Sequence, residues 1–213
     1  MVPSIASANP LILKEELETI AFLPELHIDI EDGNFIPNIT FGMKTVRAIT
    51  GLWKGTANVH LFVARPADYI EEAAACGVST VFFHAEADGY PLELAAKIRK
   101  HGMKAGIAFN PKTSFAEWGY ALDKADFCLL MSSEPDGEGQ VFLPHTLERV
   151  RNMRRMTGPE KEIWVDGGIG ESEARSLLEA GANVLVMGRY FFERRDKKEL
   201  IKRLLPAAES GAP

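Results

Sequence analysis

The sequence predicts an α/β protein, a single-domain (β/α)8 TIM barrel, on three observations. Short apolar runs alternate along the chain with longer amphipathic runs, the pattern of βαβ units in a parallel sheet. Eight such apolar runs can be marked. Glycines recur at Gly51, Gly77 and Gly102, 26 and 25 residues apart, and eight units of that length come close to the 213 residues present. The barrel is smaller than the roughly 250 residues typical of this fold. An open doubly wound sheet is the alternative. No shift in composition marks a second domain, so residues 1–206 read as the barrel and 207–213 as a small, polar, frayed tail.

The elements follow in order. The first strand is placed at Val2–Ser7. Asn9 then precedes Pro10, a good N-cap before a proline at the first helical position, and opens a helix over Pro10–Ala21. The second strand, Leu26–Ile30, places His27 and Asp29 on one face and Ile28 and Ile30 on the other. The isoleucines suit the surrounding helices, which turns the histidine and the carboxylate into the barrel. The third strand, Asn58–Phe62, repeats the pattern, with Val59 and Leu61 flanking His60. A helix over Pro66–Cys76 leads to the strand Thr80–His84, and one over Leu92–His101 leads to Ala105–Phe109. The sixth strand, Phe127–Met131, precedes a helix whose basic run Arg149–Arg155 reads as a solvated face. On the seventh strand, Ile163–Asp166, Ile163 and Val165 point outward while Trp164 and Asp166 point inward. A helix over Ser172–Ala180 and the strand Val184–Met187 complete the set. Gly77, Gly102 and Gly181 each close a helical run shortly before a strand, where a left-handed C-terminal glycine belongs.

Composition narrows the function classes. The chain is 46% hydrophobic and 25% charged, as in ordinary globular proteins. Thirty acids against twenty-four bases give a net charge of −6, which lacks the electrostatic footprint of a nucleic-acid binder. No apolar run approaches the ~18 residues that would span a bilayer. Met1-Val2-Pro3-Ser4 does not open a signal peptide. Cys76 and Cys128 lie far apart without metal-type spacing, and a reduced, cytoplasmic setting follows.

Several strands end in a polar residue: Ser7, Asp29, His60, His84, Asn110, Ser132 and Asp166. Singly, each could cap the next helix. As a set they line the rim where barrel active sites sit. His27, Asp29, His60 and Asp166 converge there, which suits either a zinc, iron or manganese site or a buried hydrogen-bond network. Glycines cluster in the later loops, at Pro135–Gln140, at Asp166-Gly167-Gly168-Ile169-Gly170 and at Gly188-Arg189. Such turns bind phosphate through backbone N–H groups or are simply tight. His84 either reaches the pocket or supports it from behind. His101 reads as structural at a helix C-terminus, and His145 as exposed beside Pro144 at a helix start. Met131 closes the barrel top.

Taken together, Pro3-Ser4-Ile5, His27-Ile28-Asp29-Ile30 with Asp32-Gly33, Phe35-Ile36-Pro37-Asn38-Ile39-Thr40-Phe41-Gly42, Val59-His60-Leu61, Asn110-Pro111 and Asp166-Gly167-Gly168-Ile169 form a specific pattern. In this order they resemble the ribulose-phosphate 3-epimerase family over nearly the whole chain. The resemblance implies a (β/α)8 barrel that binds one divalent metal through His27, Asp29, His60 and Asp166. It implies zinc first, with iron, manganese or cobalt as alternatives. By motif position it places the substrate against Ser4, His60, Met131, Gly137, Gly139, Gly167, Gly168, Gly188 and Arg189. Some positions depart from the family pattern. Glu31 and Phe62 stand where it has methionine, and Asn34 follows Asp32-Gly33 where it has histidine. Asp136 and Glu138 replace loop glycines, and Arg189 replaces serine.

The implied reaction is inversion of C3 in a ketose phosphate, of the ribulose 5-phosphate/xylulose 5-phosphate type in pentose phosphate metabolism. Asp29 and Asp166 would alternate as base and acid on opposite faces of the substrate, through an enediolate. A phosphosugar aldolase or decarboxylase on the same barrel is one alternative. No lysine ends a strand, which counts against its Schiff-base form. A non-catalytic sugar-phosphate-binding barrel is another. The expected partner is a small sugar phosphate, with neither nucleic acid nor membrane, in a cytoplasmic homo-oligomer.

Overall fold

Strands and helices alternate from end to end of the computed structural model, which describes residues 1–134 and 140–204. The strands are β1 Val2–Pro3, β2 Glu25–Glu31, β3 Thr56–Phe62, β4 Thr80–His84, β5 Lys104–Phe109, β6 Phe127–Met131, β7 Glu162–Asp166 and β8 Val184–Met187. The helices are α1 Leu13–Ile20, α2 Met43–Leu52, α3 Ile70–Ala75, α4 Pro91–Lys100, α5 Gly119–Leu122, α6 Thr146–Thr157, α7 Glu171–Ala180, α8 Arg189–Phe192 and α9 Lys197–Leu204. Among the described residues no helix is long and apolar enough to cross a membrane.

All eight strands run parallel in one sheet, ordered β1-β8-β7-β6-β5-β4-β3-β2. A parallel bridge between Ser4 and His27 brings the two edge strands together and nearly closes the barrel. The register sets Asp29 beside His60 and Met131 beside Asp166.

The two faces of the sheet carry two cores, because successive side chains of a strand point to opposite faces. Ile28, Ile30, Val59, Leu61, Ile163 and Val165 pack outward under the helices. Val2, Phe62, Phe82, Ala108, Leu129, Met131, Trp164 and Val186 fill the barrel itself. Phe82 and Trp164, with ring centroids 4.9 Å apart, plug its lower half. Room for Phe82 comes from Gly106, where a Cβ would lie 2.2 Å from the ring. The interior is therefore a packed floor of apolar side chains, above which the C-terminal rim is open.

The local structure departs from expectation at several points. The first strand stops at Pro3 instead of Ser7. Proline gives the ladder no N–H, and Ile5–Ser7 turn into a 3₁₀ helix that buries Ile5 in the outer core. Asn9 does cap, accepting from the Leu11 N–H at 3.1 Å, but Pro10–Ile12 form a 3₁₀ turn before α1 begins. Pro66–Asp68 likewise form a 3₁₀ turn ahead of α3. Gly77, Gly102 and Gly181 have positive φ, whereas Gly51 lies inside α2 and caps nothing.

The basic run on α6 is only partly a solvated face. Arg151 and Arg155 are exposed, but Arg149 is buried on the inner stripe with Val150 and Met153. Its guanidinium donates to the carbonyls of Asn110 (2.9 Å), Thr113 (3.1 Å) and Met131 (3.3 Å). Arg154 similarly ties the carbonyls of Gly158, Lys161 and Gly181. Both arginines satisfy backbone groups where chain segments end. The tail 207–213 lies outside the described residues.

Candidate active site at the barrel rim

His27 and Asp29 leave β2, His60 leaves β3 and Asp166 ends β7, all on inward faces. The two histidines are wholly buried, and Asp29 is 7% exposed. His27 Nε2 lies 3.1 Å from Asp29 Oδ1, 3.7 Å from Asp166 Oδ2 and 3.4 Å from His60 Nδ1. His60 Nδ1 lies 3.6 Å from Asp29 Oδ1 and 3.4 Å from Asp166 Oδ2. One donor atom from each of the four falls within 4.8 Å of all the others.

These separations test whether the group could hold a metal ion. Tetrahedral coordination with bonds of about 2.0–2.2 Å puts ligand atoms roughly 3.3–3.6 Å apart. The five measured edges scatter about that value. Asp29 Oδ1 is also a buried atom without a hydrogen-bond partner. An orphaned carboxylate oxygen facing two imidazoles is costly unless a cation satisfies it. The donors and their spacing fit a divalent ion.

Neighbouring residues aim these side chains. The Ser4 hydroxyl donates to Asp29 Oδ2, so Ser4, at the edge of the cleft, is turned onto the carboxylate. His27 Nδ1 pairs with Asn58 Oδ1, and Asn58 Nδ2 donates to Glu25 Oε1 at 3.0 Å. Sequence reasoning missed Asn58 and Glu25 as supports. Each lies two residues before a site histidine, on the same inward face, and that period was the available signal.

The cluster's electrostatics follow from burial. Burial opposes charge on His27, but Asp29 and Asp166 outweigh it and raise the pKa. Burial, reinforced by the neighbouring imidazoles of His84 and His27, holds His60 well below the ordinary histidine range. Burial and then Asp29 push Asp166 up to about 8. Glu31, half-buried at the end of β2, is pushed to about 7 by burial and Asp29, against an opposing 2.5 Å hydrogen bond from Asn38.

Above the cluster lies a cleft of about 970 Å³. Asp29, Glu31, Phe62, Met131 and Asp166 line its inner part, and Ser7, Gly167, Gly168, Gly188 and Arg189 one flank. Gly167 has φ 113°, and a Cβ there would come 2.3 Å from Ser133 Oγ. A Cβ on Gly188 would meet Ser7 Oγ at 2.2 Å. Backbone thus approaches the cleft where no side chain fits. Glu171 and Glu173 border the same flank, but Glu171 pairs with Arg203 and Glu173 caps the Gly170 N–H. Ser132 is buried and donates to the Asp166 and Gly167 carbonyls, which holds the β7 turn. His145 is exposed, as expected. His60, expected against the substrate, is wholly buried and is not among the described residues that line the cleft. Gly137, Gly139, Asp136 and Glu138 lie outside the described residues.

A parallel eight-stranded barrel with a buried two-histidine, two-aspartate group at its C-terminal rim has the layout of a (β/α)8 enzyme. The model of the ribulose-phosphate 3 epimerase family matches residues 1–192. The ribulose-phosphate 3-epimerase of Chlamydia muridarum is 39% identical, over 100% of this chain and 96% of its own. That of Synechocystis sp. is 37% identical, over 94% and 90%. Among solved structures, orotidine 5'-phosphate decarboxylase from Pyrococcus horikoshii superposes with a TM-score of 0.66 at 12% identity, over 96% of this chain and 97% of that one. That likeness extends to the fold alone. The chain belongs to the ribulose-phosphate 3-epimerase family, and it is an isomerase, a carbohydrate epimerase.

Proposed function

We propose that this protein inverts C3 of a five-carbon ketose phosphate, interconverting ribulose 5-phosphate and xylulose 5-phosphate. The observation that carries the reading is the placement of Asp29 and Asp166, two carboxylates at the cleft floor on strands β2 and β7. Epimerisation next to a carbonyl removes a proton from one face of the carbon and returns one to the other. Asp29 would serve one face and Asp166 the other. Two carboxylates at one cleft floor can divide these tasks, one member as acid and the other as base.

His27, Asp29, His60 and Asp166 would hold one divalent metal, zinc first, since mixed imidazole and carboxylate donors at tetrahedral spacing suit it. When bound, the ion would supply positive charge against the oxygens of the developing enediolate. Ser4 keeps Asp29 oriented through its hydroxyl. Met131 and Phe62 form the apolar wall that excludes water from the reacting carbon. Gly167, Gly168 and Gly188 bring backbone to the far flank, where the phosphate would sit with the Arg189 guanidinium as its charged partner. The described residues lining the cleft include no lysine, which disfavours a Schiff-base aldolase. The two buried free thiols, Cys76 and Cys128, suit a reducing cytoplasm.

The test is proton exchange. Ribulose 5-phosphate incubated in D2O with the zinc-loaded protein should gain deuterium at C3 as xylulose 5-phosphate appears, followed by NMR. A protein that exchanges no C3 proton in any ketose phosphate tried, with zinc, manganese or iron supplied, would overturn the reading.

A further inference from the structure

Behind His60, away from the cleft, β4 and the turn after it place a second imidazole and a carboxylate that the reaction does not use. His84 is wholly buried. Its Nε2 lies 3.0 Å from His60 Nε2, with the two rings parallel to within 6°. Its Nδ1 lies 3.2 Å from Glu86 Oε2. Glu86 Oε1 in turn accepts from the Asn110 backbone N–H at 2.9 Å. Phe35 and Phe62 cover the pair, with ring centroids 4.8 and 4.7 Å from His84. The result is a connected chain from the rim cluster to the β5 loop, buried at His60 and His84 and open to solvent at Glu86.

With a single proton on each ring, these contacts leave one arrangement. An ionised carboxylate only accepts hydrogen bonds, so His84 must carry its proton on Nδ1. Against burial, hydrogen bonds from His84, the Thr113 side chain and the Asn110 N–H hold Glu86 ionised, at about 2. His84 with one proton then offers a lone pair at Nε2, and the 3.0 Å contact has His60 donating from its own Nε2–H. His60 Nδ1 is thereby left without a proton, its lone pair facing Asp29, Asp166 and His27. His27 is fixed in the opposite sense, with Nδ1 against Asn58 and Nε2 facing the cluster.

We propose that His84 and Glu86 are positioning residues that lock His60 in its Nε2–H tautomer and so pre-form the rim cluster for a divalent cation. The cation part rests on the metal-binding reading above. The tautomer part does not.

Two measurements test it on the full chain. In chelator-treated protein labelled with ¹⁵N-histidine, two-bond ¹H–¹⁵N spectra should show His60 protonated on Nε2 and His84 on Nδ1. His60 found with its proton on Nδ1 would overturn the proposal. Zinc affinity, read by competition with a chromophoric chelator, should fall about 10–100-fold in His84→Phe, the usual effect of removing a ligand's outer partner. His84→Gln, whose amide oxygen can still accept from His60, should recover most of that loss. His84→Phe that binds zinc like the parent would also overturn it. If His84→Phe does not fold, Glu86→Gln carries the same comparison, with a smaller loss expected. A parent protein that takes up no zinc would overturn the metal reading, and the His60 tautomer would still decide the relay.

Discussion

Replacing Arg149 with methionine removes a buried cation whose partners are backbone carbonyls. Two competing terms set the outcome. Methionine spares the desolvation of a guanidinium, and such exchanges can stabilise when they replace a whole buried ion pair. Here the partners cannot be replaced with it. The carbonyls of Asn110 and Thr113, at 2.9 and 3.1 Å, are good hydrogen bonds, and that of Met131, at 3.3 Å, is a weak one. Hydrogen bonds to a charged group contribute about 1.5–3 kcal/mol each. Two good bonds, less the recovered desolvation, leave a loss of about 3 kcal/mol. For a chain of this size that lowers Tm by roughly 6–12 °C. Arg149→Lys keeps the charge but reaches fewer of the carbonyls, and should fall about midway. Thermal melts followed by circular dichroism decide the matter. A drop under about 2 °C in Arg149→Met would refute the reasoning, since water would then be satisfying the carbonyls as well as the guanidinium does.

Arg189→Ala should weaken binding of phosphorylated ketoses by about 1.5–3 kcal/mol and leave unphosphorylated sugars unchanged, as read by calorimetric titration. Undiminished phosphate binding would place Arg189 elsewhere in the site. Asp166→Asn should slow C3 exchange by roughly 10²–10⁴-fold, and unequally from the two epimers, with zinc content measured first. Equal loss from both would favour a single base. The Glu86 carboxyl, held at about 2 in the fold against an ordinary 4.5, stabilises the native state above about pH 4.5 and loses that contribution as pH falls toward 2. The Tm of the parent should therefore fall more steeply than that of Glu86→Gln between pH 5 and 3 in melts run side by side. Parallel slopes would remove Glu86 from the acid response.

The barrel and its inward-facing histidines and aspartates could be read from sequence because both rest on short-range periods. Alternation along β2, β3 and β7 decides which residues point inward, and it placed His27, Asp29, His60, Trp164 and Asp166 correctly from their own neighbours. The helix-ending glycines Gly77, Gly102 and Gly181 were legible for the same reason, as local backbone requirements. Tertiary structure alone decided what depends on register and distance between strands. It set the four donor atoms at cation spacing, joined His60 to His84 and His27 to Asn58, and sent Arg149 inward where its helix pattern read as solvated. A strand's period states which way a side chain faces. Which atom it meets depends on how eight strands are staggered around the barrel, and that stagger is fixed by packing of the whole core.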